Sequence, residues 1–302
     1  MAPKGKLILI GGAVDKGSAT AKNRPIESSA GSLHFFERGI LKRLILESKQ
    51  NEDSRIEIIT TASLIPVEVG AEYIAAFKTL GAKNIDVLHI ERRDEGFDEK
   101  NLERIRQADV VMFTGGDQLR LSSILGGTPL HRLILEKYRE EDFIYAGTSA
   151  GAAAASSNMI YEGSSHEALL KGEVKIAGGL GLIDEVIIDT HFVHRGRIGR
   201  LFQAVASNPA TLGIGLGEDT GLLITGGKIM KAIGSGLVIL VDGRLIKDTN
   251  IHEVEMGQPI SIKNLIVHVM SQHDVYDLET HELIISDPLP ELKIPHDFGM
   301  NE

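Results

Sequence analysis

A serine flanked by glycines is the residue of this chain that could most readily act as a nucleophile. Ser149 lies at the centre of the run Gly-Thr-Ser-Ala-Gly at 147–151, between the apolar residues 144–146 and an alanine-rich stretch. The G-x-S-x-G spacing is typical of a sharp strand-to-helix turn, where small neighbours let the backbone bend and the hydroxyl project from the sheet. An ordinary glycine-rich connection can have the same spacing, so the motif alone does not decide the chemistry.

A serine nucleophile needs a base and an acid that orients the base. The chain has 11 histidines, and His191 has the most suitable context because it ends the apolar run 186–190 beside Asp189. Two glutamates are candidates for the acid. Glu218 follows a glycine-rich strand and Glu167 follows a serine pair, and the sequence leaves both open.

Backbone N–H groups must stabilise the oxyanion that forms when a serine attacks a carbonyl. The Ala150 N–H, directly after the serine, is one predicted donor. The Gly116 N–H, in a second glycine pair after an apolar strand, is the other. Asp117 and Gln118 follow Gly116, and we expect both to contact a substrate.

Three arginines follow the candidate base, at 195, 197 and 200. The pattern predicts a helix over 195–207, on which Arg197 and Arg200 share a face at i, i+3. Arginines beside the base suit bidentate binding of a substrate carboxylate, with Arg195 as the third member of the group. The alternative is a solvated helix face, which applies to at least one of the three.

Strands and helices alternate through the first half of the chain and would position these residues. Polar or glycine-rich residues follow four predicted strands, at 11–12, 61–63, 115–116 and 149. Ligands bind at the carboxyl edge of open α/β sheets, so this convergence predicts a site there. The fold class is α/β, with a mainly parallel sheet flanked by helices and a β-rich carboxyl-terminal part. We predict a single domain over 1–302, in which about 277–302 form a peripheral tail.

Composition narrows the classes of function further. The 302 residues include no cysteine and carry a net charge of −10, which argues against disulfides and non-specific nucleic-acid binding. No apolar run is long enough for a membrane span or a signal-peptide core, so a cytoplasmic location is expected. The dinucleotide fingerprint is missing, and no His–carboxylate cluster has metal-ligand spacing. We therefore expect no cofactor and no metal.

Four motifs together resemble the cyanophycinases. They are Phe-Thr-Gly-Gly-Asp-Gln-Leu-Arg-Leu at 113–121, Gly-Thr-Ser-Ala-Gly-Ala at 147–152, Asp-Thr-His-Phe at 189–192 with the arginines that follow, and Gly-Glu-Asp-Thr at 217–220. The resemblance extends from about residue 6 to about residue 276. Cyanophycinases are serine peptidases related to aspartyl dipeptidase (dipeptidase E), with a fold like that of class I glutamine amidotransferases.

This resemblance implies a reaction and a set of roles. The substrate would be cyanophycin, a poly-aspartate backbone with arginine on each β-carboxyl, and the products β-aspartyl-arginine dipeptides. Ser149 would be the nucleophile and His191 its base, with Glu218 or Glu167 as the acid. The residues that would shape the substrate pocket are Gln118, Asp189, Thr190, Arg195, Arg197 and Arg200.

The resemblance also implies a homodimer. Two alternatives remain at this point: an aspartyl dipeptidase that acts on short Asp-X or isoaspartyl peptides, and a non-catalytic binding protein of the same fold. No nucleic-acid or membrane partner is expected.

Overall fold

Parallel strands alternate with helices in the first half of the chain, in a computed structural model that describes residues 2–17 and 39–287. In chain order the elements are β1 (Lys6–Ile10), α1 (Ile40–Glu47), β2 (Arg55–Ile59), α2 (Pro66–Thr79), β3 (Asn84–Leu88), α3 (Glu99–Gln107), β4 (Val110–Phe113), α4 (Gln118–Leu125), α5 (Pro129–Glu140) and β5 (Ile144–Thr148). Every residue of β4 and β5 is buried, as expected for central strands covered by helices on both faces.

The second half is dominated by strands. It contains the one-turn helix α6 (Ala150–Ala153), β6 (Asn158–Glu162), β7 (Lys175–Gly178), β8 (Val186–Thr190), α7 (Ile198–Ser207), β9 (Leu212–Leu216), β10 (Thr220–Thr225), β11 (Ile229–Gly234), β12 (Val238–Asp242), β13 (Asp248–Thr249), β14 (Ile262–Lys263), β15 (Ile266–Met270), β16 (Val275–Asp277) and β17 (Glu282–Ile284). The pairs β6–β7 and β13–β14 form small separate sheets.

Two larger sheets carry the site. The main sheet has nine strands in the order β17-β16-β11-β10-β1-β5-β4-β2-β3, with β1 parallel to β5 and antiparallel to β10. The second sheet has the order β15-β12-β9-β8, with β8 parallel to β9. Helix α7 packs on β9 and its neighbours, and buries Leu201, Ala204 and Val205 there. The ends of β1, β5 and β8 thereby meet at one edge.

The predicted fold class is confirmed: parallel strands flanked by helices are followed by a β-rich part. The main sheet is mixed, with parallel pairing over β1-β5-β4-β2-β3 and antiparallel pairing from β1 through β10, β11 and β16 to β17. A threonine followed by a proline at 128–129 is typical of a helix start, and α5 begins there, with Pro129 in its first turn and the Thr128 hydroxyl accepting from the His131 N–H at 3.2 Å. The apolar spacing of residues 33–48 also predicts a helix. The structure has α1 over part of this range, starting after the extended Gly39, and residues 33–38 lie outside the described part of the chain.

Three predictions of local structure need correction. The helix predicted from 195 begins at Ile198, because Gly196 has φ 59° and residues 192–197 form a turn. The pair β6–β7 was missed. The tail predicted from 277 contains β17, which pairs with β16 at the end of the main sheet, and residues 288–302 lie outside the described part. These strands are short and half-exposed, so their apolar periodicity is weak.

Among residues 2–17 and 39–287, no helix is both long enough and apolar enough to cross a bilayer.

Candidate active site

The turn at Ser149 is built by close backbone packing. Ser149 follows β5 directly, with φ 50° and ψ −104°, and its N–H donates to the Ile10 oxygen of β1 at 2.8 Å. A Cβ on Gly151 would lie 2.6 Å from Phe113 Cβ, and one on Gly147 would overlap the Gly151 backbone. Neither position has room for a side chain, which is the physical reason for the G-x-S-x-G spacing.

Ser149, His191 and Glu218 form a hydrogen-bonded chain. Ser149 Oγ lies 3.0 Å from His191 Nε2, and His191 Nδ1 lies 3.1 Å from Glu218 Oε1. The other acid candidate, Glu167, is exposed in a turn where its N–H faces the Ser164 hydroxyl at 3.3 Å. Of the two glutamates, the structure thus brings Glu218 to the imidazole, and the order along the chain is serine, histidine, acid.

The glycine pair after β1 holds the imidazole. The Gly11 oxygen accepts from the His191 N–H at 2.8 Å. Gly12 lies so close that a Cβ there would overlap the imidazole ring, and its φ of 133° also favours glycine. The sequence places this pair at the ligand edge of the sheet, but its contact with His191 depends on the meeting of two distant strands.

Asp219 ties together the loops on the two sides of His191, a role that sequence reasoning missed. Its N–H donates to the Gly12 oxygen at 2.8 Å, and its Oδ1 accepts from the Asp15 N–H at 3.1 Å. Its Oδ2 accepts from the Ser235 hydroxyl at 2.8 Å. The residue next to Glu218 thus fixes both the acid and the glycine that packs against the imidazole.

Backbone strain is concentrated around these loops. Ala13, Ser149, His191 and Asp219 all have positive φ, between 42° and 51°. Such conformations cost energy in residues other than glycine and are retained where the surrounding structure imposes them, commonly at functional sites.

Burial lowers the pKa of the His191 imidazole, and the Glu218 carboxylate opposes that shift. The positive charges of Arg195 and Arg197 lower the pKa further. The imidazole is therefore neutral at neutral pH, with Nε2 free to accept a proton from the serine hydroxyl.

The loops that carry the two predicted oxyanion donors lie beside the serine. Ala150 opens α6, and the N–H groups of a first helical turn have no intrahelical acceptor. A Cβ on Gly115 would lie 3.3 Å from Ser149 Cβ, which brings the loop that carries Gly116 against the nucleophile. Gly116, with φ 144°, packs so tightly on the Ala62 oxygen that it has no room for a side chain.

Asp117 and Gln118, predicted to contact substrate, both have partners within the protein. Asp117 Oδ1 caps α4, accepting from the Leu119 and Arg120 N–H groups at 2.8 and 3.1 Å. Gln118 Nε2 donates to the Ile160 oxygen at 2.9 Å and so ties α4 to β6. Asp117 is still exposed at the rim of the site, whereas Gln118 is half-buried.

The sequence resemblance implies that the Asp189 side chain faces the ligand. In the structure this side chain is buried beneath the site. Its carboxylate is buried with Thr190, and Arg197 Nη1 and Arg200 Nε approach its two oxygens at 3.2 and 3.0 Å. The Arg200 contact is close but misaligned for a hydrogen bond. Burial raises the pKa of the Asp189 carboxyl, and Arg200 and Arg197 oppose that shift. The two guanidinium groups thus share one buried carboxylate.

The third arginine differs from these two. Arg195 is exposed and forms no ion pair with the residues that the structure describes. It lies close enough to His191 to lower the pKa of the imidazole. Of the predicted arginine group, Arg195 is therefore the free cation beside the nucleophile.

The described residues include no group of three or more His, Cys, Asp or Glu side chains that could hold a metal ion. The arrangement as a whole can carry out acyl transfer. A serine hydroxyl, a neutral imidazole and a carboxylate are joined by hydrogen bonds at the carboxyl edge of the sheet, beside the loops that carry Ala150 and Gly116.

The sequence profile described as peptidase family S51 matches residues 28–232. A protein named cyanophycinase from Geminocystis herdmanii is 38% identical over 230 residues, which cover 76% of this chain and 85% of the relative. A second cyanophycinase, from Trichormus variabilis, is 35% identical over 277 residues, covering 92% of this chain and 87% of that protein.

A solved structure has the same fold. The crystal structure of a peptidase from an acI-B1 Actinobacterium superposes with a TM-score of 0.57 at 22% identity, covering 88% of this chain and 97% of that one. At this identity the likeness concerns the fold alone.

Proposed function

The chain belongs to peptidase family S51, and on that premise we propose that it is a serine exopeptidase that hydrolyses cyanophycin. The hydrogen-bonded chain from Ser149 Oγ through His191 to Glu218 Oε1 carries the proposal on the structural side. The relatives named cyanophycinase, at 35% and 38% identity, support the substrate.

Ser149 Oγ attacks the carbonyl carbon of a backbone peptide bond while His191 Nε2 takes the hydroxyl proton. The N–H groups of Ala150 and Gly116 stabilise the oxyanion. The C–N bond then breaks, and the imidazolium gives its proton to the leaving amine. A water molecule attacks the acyl-enzyme with His191 again as base, and this step releases the acid product and restores the serine hydroxyl. Glu218 holds the imidazole and stabilises its charged form.

The residues around the nucleophile suit a substrate that carries both signs of charge. Each cyanophycin repeat has a guanidinium and a carboxylate. Arg195, exposed and without an ion-pair partner in the described residues, pairs with the substrate carboxylate. Asp117, exposed at the rim, is the acid available for the guanidinium. Asp189 lies beneath this surface, where it pairs with Arg197 and Arg200 and accepts from the Thr190 N–H.

Hydrolysis of the polymer is the direct test of this function. We expect purified protein to release β-aspartyl-arginine dipeptides from cyanophycin, and to do so faster than it cleaves Asp-X dipeptides. Chromatography of the products against both standards measures this. Cleavage of Asp-X dipeptides with no release from cyanophycin would identify an aspartyl dipeptidase, and no hydrolysis of either would identify a binding protein.

The pH dependence tests the electrostatics at the base. Because the pKa of His191 lies below its ordinary value, the imidazole stays neutral as the pH falls, and kcat/KM should persist into mildly acidic solution. Arg195→Gln removes a charge that lowers this pKa, so the acidic limb of the kcat/KM profile should move to higher pH. A profile unchanged in Arg195→Gln would mean that this arginine does not act on the base. Arg132→Gln, an exposed arginine of α5, is a matched control.

Homodimeric assembly and a cytoplasmic location remain predictions. An exposed edge supports the first: Val267 and Val269 on the terminal strand β15 are 42% and 53% exposed.

A further inference from the structure

A cavity lies at the opposite edge of the sheets from Ser149. Its volume is about 830 Å³, within the range of about 300–1,000 Å³ typical of small-ligand sites. The end of α5, the loop before β8 and the turn between β10 and β11 form its walls. These segments lie at the amino ends of the parallel strands, so the cavity is separate from the catalytic edge.

Charged side chains line this cavity, and they divide into paired and unpaired groups. Lys228 pairs with Glu279, and Arg244 pairs with Asp242 at 2.6 Å. The other charged side chains are Arg139, Glu140, Asp184 and Glu185, all exposed, and none of them forms an ion pair with the described residues. Asp184 accepts a hydrogen bond from the Ser157 hydroxyl. Acids thus outnumber bases among the unpaired charges, with a single arginine beside them.

A buried hydroxyl at the cavity wall supplies an independent observation. Tyr138 is 3% exposed and lines the cavity, and its hydroxyl has no hydrogen-bond partner among the described residues. Burial raises the pKa of Tyr138 to about 12, so the group is a neutral donor at physiological pH. Gly227, across the cavity wall, has no side chain to cover it: a Cβ there would lie 3.9 Å from the hydroxyl. Buried polar groups are usually paired, and an unpaired one is costly.

We propose that this cavity is a second binding site for the polymer chain, where Glu140, Asp184 and Glu185 hold guanidinium groups and Arg139 holds a carboxylate. The Tyr138 hydroxyl donates to a carbonyl of the bound segment after a small adjustment of the wall. The proposal rests on the proposed function for the identity of the ligand. A site remote from Ser149 keeps the enzyme on a long substrate between cleavages, because the second contact becomes intramolecular.

Binding to the full-length Ser149→Ala variant separates this site from catalysis. With a soluble oligomer of the aspartyl-arginine repeat as the probe, calorimetry should find two oligomers bound per chain. Adding Glu140→Lys and Glu185→Lys should leave one. Both residues are exposed, and a lysine at 140 ends α5 favourably, so the fold should be kept. The control, Glu91→Lys with Asp248→Lys, makes the same change of charge at exposed positions away from both sites and should still bind two.

Kinetics with the serine restored gives a second readout. The Glu140→Lys, Glu185→Lys enzyme should have a KM for the polymer raised about tenfold and an unchanged kcat/KM for the shortest cleavable peptide. Tyr138→Phe should weaken oligomer binding at the cavity about threefold or more without lowering the melting temperature, because it removes an unpaired hydroxyl.

Several results would overturn the proposal. One is the binding of a single oligomer per chain of Ser149→Ala. Another is a KM for the polymer that stays unchanged in the Glu140→Lys, Glu185→Lys enzyme, or an equal loss of oligomer binding in the control. A third is a changed sedimentation coefficient of the Glu140→Lys, Glu185→Lys enzyme, which would mark the cavity as a contact between subunits. If wild-type protein does not hydrolyse the polymer, the proposed function fails, whereas hydrolysis with one bound oligomer rejects the cavity site alone.

Discussion

Ser149→Ala should lower kcat for cyanophycin by about 10⁴- to 10⁶-fold, because removing the nucleophile leaves only the oxyanion donors and substrate binding. The Ser149 hydroxyl is the group that lies 3.0 Å from the His191 base, and no other serine hydroxyl among the described residues hydrogen-bonds to that ring. Dipeptide release, followed by chromatography at saturating substrate, measures the loss.

Controls separate chemistry from folding in that experiment. Alanine removes a single oxygen and leaves the packing of Gly147 and Gly151 intact, so the melting temperature should change little. Ser122→Ala, which deletes a hydroxyl that faces the Leu119 oxygen within α4, should keep wild-type activity. Wild-type kcat in Ser149→Ala would mean that another group performs the attack.

Glu218→Gln should be the second most damaging change, with kcat lower by about 10³- to 10⁴-fold, as for other triads in which an amide replaces the acid. The carboxylate at 3.1 Å from His191 Nδ1 fixes the tautomer that leaves Nε2 free to accept a proton. A glutamine can present its NH₂ group to Nδ1 and so favour the wrong tautomer. It also removes the charge that stabilises the imidazolium.

Glu167→Gln is the matched comparison, because the same change at an exposed glutamate should leave kcat within about twofold, as is usual for surface substitutions. Steady-state kinetics of both variants at several pH values decides between the two acids. A crippled Glu167→Gln enzyme beside an active Glu218→Gln enzyme would reverse the assignment.

The sequence predicted the parts of the site that local patterns encode. Gly147 and Gly151 are needed for space around Ser149, so their spacing is visible in the chain. His191 could be selected because an apolar strand delivers it to the ligand edge. The parallel half of the main sheet follows from buried strands that alternate with helices, and the structure confirms that part of the fold.

The choice between Glu218 and Glu167 depends on tertiary structure. β8 is parallel to β9, and β9 leads into the turn before β10, so the end of β9 brings Glu218 to the strand that delivers His191. Nothing in the spacing of either glutamate from the histidine encodes that pairing. Asp219 was missed for a similar reason, since its partners at Gly12, Asp15 and Ser235 come from three separate loops.

Burial also changed the interpretation of the charged residues after β8. The sequence places Asp189 and the three arginines in one group beside a ligand, with a solvated helix face as the alternative for at least one arginine. In the structure the aspartate is 2% exposed and is the shared ion-pair partner of Arg197 and Arg200. A buried carboxylate requires such partners, and those partners are then less available to a ligand. Of the three arginines, Arg195 alone is exposed.

The most direct test of the central claim is a crystal structure of the Ser149→Ala variant with a soluble cyanophycin oligomer. We expect a backbone carbonyl carbon about 3–3.5 Å from the position of the missing hydroxyl, the separation of a near-attack geometry. Its oxygen should face the N–H groups of Ala150 and Gly116. An oligomer that presents the amide between an aspartate β-carboxyl and an arginine at this point, or that binds with no backbone carbonyl near residue 149, would contradict attack of Ser149 on the backbone.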